Sequence, residues 1–476
     1  MRCLSLATRL GLNLAVVAAL AFSTSRASAQ TSSNNNNNSS SNSNSSGTTT
    51  TSTNQAGVVV DAEGVLRWKE YTDPTGMLLK ERIAAAKSTL DPKVTAQSKL
   101  RKISLNRLEA AILSRQGVPT DEMKYLAGLQ RIEYAFYYPD SKDIVIAGPA
   151  EGWIANVANR VVGMSNGRPV VQLQDLVAGL RAFPPGGEPT ALIGCSIDPT
   201  PEGQAAVQRF LNSIPRINPN INAESIAEGI RTNLGYHIVS VNGVSPKTHF
   251  AQVLVEADYR MKLIGIGKEN PPVKMAVYVD KAKGGDPSQL VRWYFLPDYQ
   301  CLRVNEDKTA MEIVGEGVKL VGENELVSAS GQRRQVGGTS PASQAFTTAF
   351  TKLYPQIAAR SPIYAELRNM IDIAVTAAFI QQQNYYGKAD WKMEFFGNEK
   401  AYSIENYSVP KTVDTAVNVI WKKGGHTLMT PMGGGVEIQA AKAVQADKLL
   451  PDEKGKIDKL HAELKPNLAK DQWWWD

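Results

Sequence analysis

Four polar side chains recur at helical spacing in one stretch of this chain: His249, Gln252, Glu256 and Arg260. An imidazole, a carboxylate and a guanidinium sharing a face are the groups from which general acid–base sites are built. Phe250, Val253, Leu254, Ala257, Met261 and Ile264 form the opposite, apolar stripe, so a helix from about Thr248 to Ile264 must position them. Glu256 and Arg260 stand four apart, the spacing of an exposed ion pair worth about 0.3–0.5 kcal/mol, and a solvated face is the expectation there over an acid–base site. Asp372 is a second candidate. It lies in Ile371–Ile380, apolar nearly all round, where a carboxylate must be paired, protonated or turned to a polar cavity. Arg368, four residues earlier, is the expected partner, fastening this helix to its neighbours. Third, Trp473, Trp474 and Trp475 precede Asp476; three consecutive indoles cannot share one face, and exposing all of them is an apolar liability. They are expected either to fold back on the body as a latch or to dock on a partner.

Other motifs fail in their context. Gly163-Met164-Ser165-Asn166-Gly167 has the spacing of a hydrolase nucleophile elbow, but Asn166-Gly167 and Pro169 signal a turn where that elbow needs a helix. Ser408-Val409-Pro410-Lys411 has Ser-x-x-Lys spacing in what reads as a loop. His237, His249, His426 and His461 share no metal-ligand spacing, and Gly433-Gly434-Gly435 lacks the Lys-Ser/Thr of a phosphate loop, so neither metal nor cofactor is expected. Tyr236–Val244 resembles the strand-turn of PDZ domains, giving a peptide-binding module around 235–280 as one further reading.

The elements that carry these residues read as α+β, with helices and antiparallel hairpins mixed and a buried helical pair in the C-terminal third. Hairpins are predicted at 58–66 and 134–148, and helices at 77–90, 104–116 and 173–183. A strand at 190–197 precedes a helix opened by Pro201, a possible βα repeat. Strands are predicted at 273–279, 290–296, 311–314 and 318–327, and two long helices near 342–359 and 362–383. Short strands at 416–421, 426–429 and 436–438 precede a charged helical tail. The expected organisation is a body over 57–330, a linker over 331–343, the helical pair with short strands over 344–440, and the tail over 441–476.

Ahead of the body, Arg2 and Arg9, an apolar run from Leu10 to Phe22 and Ala27-Ser28-Ala29 make a cleavable export signal. The run is too short to span a membrane, which takes about 20 residues, so the mature chain is expected to have no transmembrane span. Residues 30–56 are almost wholly Gln, Ser, Asn, Thr and Gly and form a tether without a core. Loss of Arg2, Arg9 and Arg26 leaves 49 basic against 46 acidic residues, a net +3 that argues against nucleic-acid binding. Only Cys195 and Cys301 remain, and Cys195 alternates with Ile193 and Ile197 as a buried thiol would.

Several stretches together resemble an exported planctomycete family of unknown function: Gly57–Leu66, Gly148–Trp153, Ser196–Gly203, Val255–Gly265, Arg292–Tyr299, Glu366–Asp372 and the terminal Trp-Trp-Trp-Asp. The resemblance implies one extended unit and brings no site residues with it. A periplasmic or extracellular envelope protein acting through binding or assembly is therefore expected, its partner an envelope or extracellular protein or a glycan. An exported hydrolase-like enzyme is the alternative. The mature chain is expected to begin at Gln30; intact mass of the native protein checks this, and a native product retaining Leu10–Phe22 contradicts it.

Overall fold

Period-two alternation on Ile193–Pro199 turns Ile193, Cys195 and Ile197 to one buried face, and that strand stands in the middle of a nine-stranded sheet. The sheet runs Gly57–Val60, Val65–Lys69, Thr412–Asp414, Tyr236–Asn242, Ile193–Pro199, Gly433–Ile438, Gln289–Pro297, Val318–Val327, Arg333–Val336. The pairings are antiparallel except Thr412–Asp414 with Val65–Lys69 and Gly433–Ile438 with Gln289–Pro297. The computed structural model describes residues 57–69, 71–214, 223–282, 289–327, 333–336, 339–422, 425–429, 433–469 and 471–476; the expected signal and the 30–56 tract lie outside the described residues. A seven-stranded sheet, ordered Leu450–Pro451, Leu302–Val304, Ala310–Ile313, Tyr134–Tyr138, Asp143–Ala150, Ser98–Ser104, Trp474–Trp475, stands beside it. The fold is α+β.

Two helices join these layers. Pro362–Gln382 is buried along almost its whole length and packs on the helices Leu173–Ala182, His249–Gly265 and Pro341–Arg360. Gly179 faces Ile373 so closely that a Cβ there would overlap the isoleucine methyl, which is why the 173–182 helix carries a glycine at this crossing. The helix His249–Gly265 lies on the strands Ile193–Pro199 and Gly433–Ile438. Its Lys262 ammonium, 1% exposed, donates to Asp258 at 2.8 Å and to the carbonyls of Ile197 and Gly434 at 3.0 and 3.1 Å. One cation thus ties the helix to both strands with all three donors used.

Three expectations need correction. Val273–Val279 is not a strand: Val273 is buried in irregular chain after Pro271-Pro272, and Val279 is buried in the short helix Tyr278–Lys281 that follows. The 331–343 stretch contains a strand, Arg333–Val336, paired with Val318–Val327, and Pro341 opens a helix. Ile193–Pro199 and its helix make no parallel repeat, because both neighbours of that strand are antiparallel. Cys195 and Cys301 are buried free thiols, and burial pushes Cys301 up to about 12.

Residues 473–476 add an edge strand to the second sheet, with Trp474 opposite Ile103 and Trp475 opposite Lys102. Trp473 is buried in the main core. Arg101, 0% exposed, holds Asp476 bidentately through Nε and Nη2 at 2.8 and 2.9 Å and lies 4.6 Å over the Trp474 ring. Its remaining donors go to the carbonyls of Lys93, Val94, Ala96 and Ala127. Leu126 and Ala127 are both left-handed, at φ 45° and 49°, a conformation non-glycine residues adopt only when their surroundings compel it.

Removing residues 473–476 takes a core indole away and strands the Arg101 charge, an expected loss of about 3–5 kcal/mol read as a lower urea midpoint; an unchanged midpoint shows the tail to be idle. A pH dependence follows from Asp258. Burial, outweighing the pull of Lys262, raises its carboxyl from 3.8 to about 6. A carboxyl whose folded pKa lies above its unfolded value contributes stability that is complete below the unfolded pKa and lost as pH rises through the folded one. Unfolding free energy should therefore fall between pH 3.8 and about 6 more steeply in the native sequence than in Asp258→Asn, and parallel pH profiles refute this.

Candidate functional site

A cleft of about 390 Å³ opens where four separate pieces of chain meet. Thr120 caps the short helix Asp121–Lys124, whose end presents Lys124 and Tyr125. The hairpin Trp153–Ala155/Val161–Gly163 contributes Asn159 from its turn, where the Asn156 side chain accepts from the amides of Ala158 and Arg160. The helix Leu173–Ala182 contributes Gln172, Leu173 and Gln174 at its N-terminus, which lacks a side-chain cap. The 401–407 segment closes the cleft with Tyr402, Ser403, Glu405 and Tyr407.

Buried polar groups continue behind these walls. Gln174 donates to Gln172 at 2.7 Å and to the Tyr407 hydroxyl at 2.9 Å, and that hydroxyl donates to Glu405 at 3.3 Å. The next residue, Asp175, holds His249 Nδ1 at 2.7 Å, and the imidazole lies 5.7 Å from the Tyr407 ring. Gln174 Oε1, Asp175 Oδ1 and His249 Nε2 are buried without a hydrogen-bond partner. Each such atom forgoes about 1–3 kcal/mol, and three of them lie in Gln174, Asp175 and the imidazole that Asp175 holds. Burial raises the Tyr125 and Tyr407 hydroxyls, and raises Tyr402 to about 12 with help from Glu405, so all three stay neutral donors near neutral pH.

The expected solvated face of the His249–Gly265 helix is not solvated. His249 and Glu256 are 2% and 4% exposed, because the Pro362–Gln382 helix and the Trp153–Gly163 hairpin cover that side. Glu256 accepts from Arg160 at 2.5 Å, and Arg160 also pairs with Glu366. Arg260 takes Glu269 at 2.6 Å and reaches Glu256 only at 3.3 Å. Burial lowers the Arg160 pKa from its ordinary value, partly offset by the Glu256 carboxylate. His249 therefore lies behind the cleft wall, bonded to Asp175, while Glu256 and Arg260 belong to a separate charge network.

Asp372 is paired, but not with Arg368. It accepts from Arg131 at 2.8 Å, and Arg368 turns to Glu316 at 2.7 Å. Burial still raises the Asp372 carboxyl against the pull of Arg131. Trp474 donates through its indole N–H to Glu122 at 2.5 Å and packs in the cluster that includes Tyr125, Trp153 and Val161, so the tail buttresses one wall of the cleft. Ser165 is held by Glu151 in a turn with no helix after it, and Glu151 also accepts the amides of Ser165 and Asn166. The 408–411 stretch is loop leading into Thr412–Asp414, which occupies the edge of Tyr236–Asn242 that peptide addition would need. Among the described residues no group of His, Cys, Asp and Glu is placed to hold a metal ion, and no helix is long and apolar enough to cross a membrane.

Asp175, Gln174, Glu405 and Tyr407 escaped sequence reasoning. The one available signal was an acid at 175 amid Val170, Val171, Leu176 and Val177, the same anomaly that drew attention to Asp372. No curated protein and no solved structure matches this chain. Residues 195–278, which run from Cys195 in the central strand through the His249–Gly265 helix to Tyr278, match the model of a protein family of unknown function, DUF1598.

Proposed function

We propose that this chain is an exported envelope protein that acts by binding, and that the tyrosine- and amide-lined cleft holds its ligand. One observation carries this reading: the cleft converges neutral hydrogen-bonding groups on a concave surface, and buried polar atoms with unused capacity lie directly behind it. Its volume of about 390 Å³ is within the range of small-molecule sites, about 300–1,000 Å³. The leader and the Asn/Ser/Thr tract support export and attachment through a tether.

The Asp175–His249 pair favours a second, enzymatic reading, since a carboxylate that orients an imidazole is half of a nucleophile-activating triad. Against it, His249 Nε2 is buried and has no serine, threonine or cysteine hydrogen-bonded to it. The pair is better suited to holding the first turn of the 173–182 helix against the 249–265 helix, and so to positioning Gln174 and Tyr407.

His249→Gln should then lower stability by about 1–3 kcal/mol through the loss of the Asp175 bond, with no change in any hydrolytic rate. Urea unfolding and a panel of chromogenic esters and amides test the two arms. Turnover in the native sequence that disappears in His249→Gln establishes the enzymatic reading in place of binding.

A further inference from the structure

We infer that the ligand of the cleft is a neutral carbohydrate, seated ring-face against tyrosine and hydroxyl-edge against the amides and Glu405; this rests on the binding reading above. The wall has three tyrosines, Tyr125, Tyr402 and Tyr407, whose hydroxyls burial keeps protonated. Tyr125 is backed by Trp153, with ring centroids 5.5 Å apart, so at least one aromatic face is held firmly. Aromatic faces with a polar tip suit a ligand that is apolar on one side and wet at its edge.

The polar complement is mixed in sign and direction. Lys124 and Asn159 donate, whereas Glu405 accepts. Gln174, 9% exposed, lines the cleft with its amide nitrogen given to Gln172 and Tyr407 and its Oε1 buried behind the wall. Hydroxyl groups both donate and accept, so a polyol answers every one of these positions. A phosphate or uronate does not, because Lys124 is the one cation in the lining and shares it with the carboxylate of Glu405. An extended peptide is disfavoured because the only strand residues in the lining, Ala155 and Val161, end two three-residue strands and offer too short a ladder for strand addition. Glu405 is also the one carboxylate there, and glycoside hydrolysis ordinarily takes two flanking carboxyl groups. The cleft therefore retains a sugar and does not cut it.

Calorimetric titration of the mature protein with chitotriose, cellotriose, trialanine and inorganic phosphate tests this. At least one of the two sugar trimers should bind with Kd of about 1 mM or tighter, unhydrolysed after prolonged incubation. Glu405→Gln, at an exposed position, and Tyr407→Phe, which keeps the ring, should each weaken that binding about tenfold while leaving the melting temperature within 2 °C or so of the native value. Sugar binding indifferent to both substitutions overturns the assignment of the site. Binding of trialanine or phosphate that is sensitive to them, without sugar binding, leaves the binding reading standing and overturns the carbohydrate. Absence of binding by all four probes overturns both.

Discussion

A charge taken out of water must find an opposite charge, and the two central helices of this fold bury acids that they neutralise only in part from their own residues. Glu256 and Glu366 lie on different helices and share one cation, Arg160, which arrives from a hairpin roughly a hundred residues before the first of them. Arg160 is 4% exposed, so removing it would leave two carboxylates buried side by side, while removing either carboxylate leaves it the other. Electrostatics thereby adds to the apolar packing of Trp153 and Val161 in fixing the hairpin. Since Asn159 and Val161 flank Arg160 and line the cleft, the bond that staples the helices also places one wall of the site.

Arg101 obeys the same constraint at the far edge of the second sheet. Its guanidinium gathers four carbonyls and the Asp476 carboxylate into one buried fork, and one of those carbonyls belongs to the left-handed Ala127. Strain at 126–127 persists because the fork over-determines it. Tyr125 stands immediately before that turn, and Trp474 packs in the same apolar cluster. Arg160 from the Trp153–Gly163 hairpin and Arg101 from the second sheet thus each help to fix a wall of a cleft whose lining residues come from four distant parts of the chain.

Local patterns made much of the fold legible. The hairpins at 57–69 and 134–150, the capped helices and the all-apolar 371–380 stretch each carry their signal within about twenty residues, the range over which periodicity and turn chemistry act. What escaped was every decision made at long range. The far side of the His249–Gly265 helix looked solvated because polar residues at helical spacing ordinarily face water, and nothing local announces Arg160 or Asp175. Arg368 is correctly spaced for Asp372 yet serves Glu316, since Arg131 reaches the aspartate from another layer. The insertion of Gly433–Ile438 between Ile193–Pro199 and Gln289–Pro297 is likewise a tertiary choice, which the Gly433-Gly434-Gly435 run permits by letting adjacent backbones close in.

The cleft itself was hidden for a related reason. Its walls are tyrosine, glutamine, asparagine and a single glutamate, residues that are common in loops and form no motif at any spacing. Its signature is thermodynamic: Gln174 Oε1, Asp175 Oδ1 and His249 Nε2 are all removed from water without compensation, within one contiguous patch. A core free to minimise its energy would replace such groups with apolar ones of similar volume, which is often neutral or stabilising. Asp372 shows what a structural role looks like, with its carboxylate answered by Arg131 and its helix fastened thereby. The polar atoms behind the cleft are less completely answered than the charges around Glu256, and that difference is the physical ground for proposing the cleft as the site.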